Sequence, residues 1–216
     1  MTMYRVPFLA TLAVAAFLSG CAVMPSKSKI EMKVAAVELP QDFVQVSGVQ
    51  LRKVLVQDVR IDYFTGRPLA DLRQIINKRN GRSEVSEGYF AGPRPVSDFA
   101  AESLQGALRR AGVAESATAR YEMHARIERL HNDLDGARLG EFIITADVAF
   151  AIVDSSTGRV AWSQKIRGKA RGRPEAIFVS ADDCVKLLPS ALADVFKTLL
   201  VSPGFRQALV ATRVEA

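Results

Sequence analysis

The 216-residue chain is poor in the residues that carry most chemistry: it holds two cysteines, two histidines and one tryptophan. With only Cys21 and Cys184 there is no disulfide framework to support a fold. Cys184 sits among Val185, Leu187 and Leu188 in an apolar, helix-like stretch and is expected to pack as a small hydrophobe. His124 and His131 are seven residues apart, which is not the spacing of a helical metal pair, and no cysteines flank them. Asp133 and Asp135 beside Gly136 lack the remaining ligands of a calcium loop. There is no Gly-x-Ser-x-Gly elbow and no glycine-rich phosphate loop leading into Lys-Ser or Lys-Thr. No catalytic residue, metal site or cofactor is expected, and the chain does not read as an enzyme.

A long hydrophobic run is also missing. The most apolar stretch, Val6 to Leu18, is shorter than the about 20 residues that a membrane span requires. It follows the single cation Arg5, so residues 1–20 have the form of an export signal. Leu18-Ser19-Gly20-Cys21 matches the bacterial lipobox at all four positions, which predicts lipidation of Cys21 after removal of residues 1–20. Ala22 is not the aspartate that retains such proteins at an inner membrane, which directs the expectation to the periplasmic face of the outer membrane. Residues 21–29 then read as a lipidated N-terminus and tether, and 30–216 as one domain.

Charge is mildly positive. The whole chain carries a formal +6, and loss of Arg5 with the signal leaves 28 Lys and Arg against 23 Asp and Glu. In the envelope such a surface suits anionic lipid, glycan or an acidic protein, and nucleic acid is not an expected partner.

The periodicity predicts strands over Ile30–Val34, Leu51–Ile61, Tyr121–Leu130, Phe142–Asp154 and Val160–Ala170. The apolar centre of Leu51–Ile61 suggests an interior strand covered on both faces. A helix is predicted from an N-cap at Ser97 to Gly112, and another from Ser180 to Val201, kinked or restarted at Pro189, with a shorter one around Phe205 to Val210. Residues 62–96, punctuated by glycine and proline, admit either a short helix carrying Leu69, Leu72, Ile75 and Ile76 or a loop with an embedded strand. So long a connection is expected to hold an interaction site. The order is that of an α+β two-layer domain, a mainly antiparallel or mixed sheet with helices on one face. Lys165, Arg167, Lys169, Arg171 and Arg173 alternate along the last strand and would share one face, a candidate contact for an anionic partner.

Taken with the lipobox, the Asp58-Val59-Arg60 triplet, the Ala146-Asp147-Val148-Ala149 run and the terminal Pro203-Gly204-Phe205, the chain resembles the YajG family of uncharacterised bacterial lipoproteins. The resemblance implies a small periplasmic domain tethered to the outer membrane, with no catalytic residues to carry over. The expected role is a non-enzymatic binding or assembly module of the envelope with a protein partner. The alternative is a lipid- or glycan-binding auxiliary component of an envelope transport system, which would need an apolar groove between helices and sheet.

Overall fold

Alternation between apolar and polar residues decides the main sheet. In the computed structural model, which describes residues 26–62, 65–80, 83–134, 141–174 and 179–214, the elements begin with β1 (Ser26–Lys27), β2 (Val49–Leu51), β3 (Val54–Asp58), β4 (Gln74–Asn80) and β5 (Ser83–Ala91). Then follow α1 (Val96–Arg110), β6 (Val113–Glu115), β7 (Tyr121–Leu134), β8 (Phe142–Asp154), β9 (Val160–Gly172), α2 (Ala181–Val201) and α3 (Pro203–Val214). The principal sheet has the order β3-β7-β8-β9, with β3 parallel to β7 and the remaining pairs antiparallel. Two small sheets, β1-β5-β4 and β2-β6, complete a mixed α+β fold.

One face of the principal sheet is fully consumed by the core. Met123, Ala125 and Ile127 of β7, Ile144, Ala146, Val148, Phe150 and Ile152 of β8, and Ile166 and Ala170 of β9 are all buried on it. The α2 helix lies against β8 and β9, and α1 lies against β3 and α2. Phe150 and Phe196 meet edge to face with centroids 6.3 Å apart, a favoured aromatic geometry. Gly168 lets α2 come within backbone contact of β9: a Cβ there would lie 2.5 Å from the carbonyl oxygen of Ala191.

Capping explains where the helices begin and end. Ser180 accepts from the backbone N–H of Asp183, whose carboxylate accepts from the backbone N–H of Ser180, a reciprocal capping box. The α2 helix then runs unbroken through Pro189, so no second start occurs there. The first turn of α1 starts one residue before Ser97: Pro95 is the N-cap, with φ −54°, and Ser97 falls inside the helix. Gly112 ends α1 with φ +89°, and a Cβ there would sit 3.0 Å from the carbonyl of Val46.

Two expectations are corrected and one open alternative is decided. Residues 30–34 are not a strand: Met32, Ala35 and Val37 are buried at uneven spacing, and the N–H of Ala35 donates to Ser103 Oγ, so the segment is pinned to α1 by a side chain rather than by a ladder. The predicted strand Leu51–Ile61 is divided into β2 and β3, and β3 is an edge strand paired only with β7, not an interior one. Of the two readings open for residues 62–96, the helix falls and the embedded strand holds: Gln74–Asn80 and Ser83–Ala91 pair as the β4-β5 hairpin, with Ile75 and Ile76 both buried.

The Asp58-Val59-Arg60 triplet fastens that hairpin to the principal sheet. The Arg60 guanidinium donates to Asp58 Oδ1 and Oδ2 at 2.7 and 2.6 Å and to the carbonyls of Ile75 and Gln74 at 2.8 and 2.5 Å. Both side chains are almost wholly buried, so every charge is met inside the protein. The other motifs of the resemblance are likewise structural. Phe205, at the start of α3, is buried against Trp162, with ring centroids 5.1 Å apart.

Candidate functional site

The outer face of the principal sheet is the opposite of its inner one. Strict alternation along β9 places Lys165, Arg167, Lys169 and Arg171 outward, with exposed Arg173 just beyond the strand, so the predicted stripe is assembled as expected. The sequence did not reveal the second row of cations. A register shift between Ile127 and Arg129 adds a residue to β7, so that Ile127 and Leu130 both face the core while Glu128 and Arg129 both face out. Arg126 and Arg129 then flank the centre of the sheet from one side, as Lys165 and Arg167 do from the other.

Between these rails β8 presents short side chains. Ala151, Ala149, Asp147 and Thr145 lie opposite Ser163, Lys165, Arg167 and Lys169, respectively. Asp147 is 2% exposed and receives both Nε and Nη2 of Arg167, at 2.6 and 3.0 Å. Those hydrogen bonds hold its carboxyl below the usual aspartate range, with Lys165 and Arg129 adding in the same direction. Glu128 bridges Lys165 at 2.7 Å and Arg126 at 3.1 Å, and the hydrogen bond from Lys165 leads in lowering its pKa. Arg173 pairs with Glu141 at 3.3 Å. Lys169 and Arg171 have no ion pair among the described residues, so the far end of the stripe keeps its charge. The Thr145 hydroxyl, 1% exposed, has no hydrogen-bond partner among the described residues.

The stripe also borders an open edge. Asp194 of α2 accepts from the backbone N–H of Lys169 at 3.0 Å and covers the edge of β9 there. A row of cations on an edge strand discourages strand-to-strand association between copies.

Cys184 is wholly buried, and desolvation pushes its thiol up to about 12, so it is inert as a nucleophile. Among the described residues no group of three His, Cys, Asp or Glu side chains could hold a metal ion. Cys21 and the signal lie outside the described residues, as does Asp135. Among the described residues no helix is long and apolar enough to cross a membrane. Much of 62–96 is spent on the hairpin, while Leu72 stays half-exposed. Between helices and sheet the described residues pack closely, with Phe99, Phe142, Phe150 and Phe196 all buried there. A groove of about 720 Å³ lies instead on the other side of α2, between that helix and residues 30–38. No sequence signal marked the groove itself, because it depends on an irregular segment crossing a helix.

No family model matches this chain, and no curated protein does. A solved structure that is similar is protein XCC0632 from Xanthomonas campestris, of the family model DUF330. It is 17% identical, with a TM-score of 0.55, and the match covers 89% of this chain and 99% of that one. A minor lipoprotein from Acinetobacter baumannii (12% identity, TM-score 0.34, 76% and 93% of the two chains) and lipoprotein GNA1162 from Neisseria meningitidis (10%, 0.30, 76% and 96%) are more distant. The first likeness shows a shared fold. The YajG resemblance receives no support from these comparisons.

Proposed function

We propose that this chain is a lipoprotein of the bacterial envelope, anchored through Cys21 on the periplasmic face of the outer membrane. Its domain serves there as a non-enzymatic binding module for an acidic protein partner. The observation that carries this reading is the asymmetry of the principal sheet. One face is closed by helices, and among the described residues the other offers six cations, Arg126, Arg129, Lys165, Arg167, Lys169 and Arg171, against the three carboxylates Glu122, Glu128 and Asp147, of which Glu122 is already met by Lys53 and His124. Aligned like charges repel unless an anionic surface, salt or solvent offsets them, and Lys169 and Arg171 are the pair left for a partner.

The test separates anchor from face. In cells, Cys21→Ser should release most of the protein from membranes, and the residual envelope association should fall as salt rises. Adding Lys169→Glu and Arg171→Glu should abolish that residue of binding. Undiminished, salt-independent association of the triple variant would contradict the role given to this face.

A second reading, a lipid-handling component, is favoured by the groove on the outer side of α2.

A further inference from the structure

The groove and the start of the described chain adjoin one another. The backbone from Ser26 is docked rather than loose: Ser26 and Lys27 pair with Phe90 and Ala91 of β5, and Ser28 Oγ and the N–H of Lys29 both donate to Asp182 Oδ1 in the first turn of α2, at 2.6 and 3.0 Å. From Ser26 back to Cys21 is five residues of chain, a length of about 17 Å at full extension. Ile30 already lines the groove, and Val185 lies less than one helical turn beyond Asp182, so the groove opens beside the point where the N-terminus joins the body.

The shape and lining describe an elongated apolar occupant. Along α2 the groove extends from Val185 to Lys197, twelve residues or about 18 Å of helix. One leaflet of a bilayer's hydrocarbon core is about 15 Å thick, which is the depth that a lipoprotein's acyl chain spans. Ile30, Val34, Val185, Pro189 and Ala193 supply apolar surface, and Val34 is 49% exposed. The charged rim alternates in sign, with Glu31 and Lys33 on one wall and Asp194 and Lys197 on the other, so it offers no net attraction to an ionic partner.

We propose that this groove shelters an acyl chain of the protein's own lipidated Cys21 whenever the protein is away from a membrane. The inference rests on the lipidation proposed above. It gives the anchor two positions, folded back on α2 in water and inserted when a bilayer is present.

The experiment uses the full chain, processed in cells, with the photoreactive residue p-benzoylphenylalanine replacing Val34. It is irradiated in the detergent-free soluble fraction and then analysed by intact and peptide mass spectrometry. The expected product joins the segment around position 34 to the acylated Cys21 peptide. The same probe replacing Ile61, exposed but outside the groove, should give no such product. Ala36→Glu, at an exposed position on the groove wall, should lower the yield at least tenfold while leaving the melting temperature unchanged. An adduct at position 34 with free phospholipid, or no lipid adduct there, overturns the proposal. A mature mass without the diacylglyceryl group removes the anchor reading as well, whereas a lipidated mass without the 34-to-21 adduct removes only the groove's role.

Discussion

Gly168→Ala tests whether the inner face of the sheet is as tightly closed as the binding account requires. The added methyl would lie 2.5 Å from the Ala191 carbonyl oxygen, 2.6 Å from the Val195 nitrogen and 2.6 Å from Val195 Cγ2. Two of these are backbone atoms, so no side-chain rotation relieves the clash, and α2 must back away by roughly 0.9 Å to reach the 3.4 Å of ordinary contact. Overpacking of this kind costs about 1–3 kcal/mol, and the rigid backbone places it at the upper end. Removing glycine's freedom in the unfolded chain returns about 0.4–1 kcal/mol. The net loss of about 2–3 kcal/mol corresponds to a melting temperature lowered by about 4–12 °C for a domain of this size. Gly172→Ala is the control on the same strand. Its methyl meets the two Leu187 side-chain methyls at 3.2 Å, which can shift, and Phe142 Cε1 at an ordinary 3.5 Å, so its melting temperature should stay within about 3 °C of the parent. Thermal melts followed by circular dichroism on the Cys21→Ser chain give both numbers. Equal melting of the two variants would refute the close approach of α2 to β9.

Arg60→Ala should cost about 3–5 kcal/mol in urea unfolding, because it strands the buried Asp58 carboxylate, and the double change Asp58→Ala with Arg60→Met should cost less than the single one. Thr145→Val removes a buried hydroxyl that has no partner among the described residues and keeps its shape, so stability should hold or rise by about 1 kcal/mol in the same assay; a clear loss would reveal a hydrogen bond. Cys184 should resist iodoacetamide at pH 8 until denaturant unfolds the chain, as mass spectrometry of the alkylated protein would show. The carboxyls of Asp147 and Glu128 are held below their ordinary values, so their contribution is complete only above the ordinary carboxylate range, about pH 5, and is lost as acid titrates them in the folded state. Melting temperatures falling already between pH 7 and 5 would contradict their pairing.

Legibility in the sequence followed the length of each repeating pattern. The strand Phe142–Asp154 and the Ser180 cap were readable because alternation over thirteen residues and a reciprocal cap are local signals. Ile30–Val34 misled because five alternating residues fit an extended coil as well as a strand, and here the Ser103 hydroxyl took the backbone hydrogen bond that a ladder would have made. The interior look of Val54–Asp58 came from apolar residues on both parities, yet the strand lies at an edge and is partly covered by α1. The cation stripe on β9 was visible from period two alone. Its counterpart on β7 was not, because the bulge at Glu128 breaks the alternation that would have marked Arg129 as outward. The groove joins residues more than 150 positions apart, and no window of sequence contains both its walls.

The most direct measurement is site-resolved photocrosslinking in living cells, with the probe placed in turn at Lys169, at Arg126 and, as a control, at exposed Val210 on α3. The account predicts that Lys169 and Arg126 capture the same envelope protein, that Arg171→Glu weakens the capture from Arg126, and that Val210 captures none of it. Capture of that protein from Val210 with none from either rail, or of lipid alone at all three positions, would contradict the claim that the outer sheet face is where this module binds its partner.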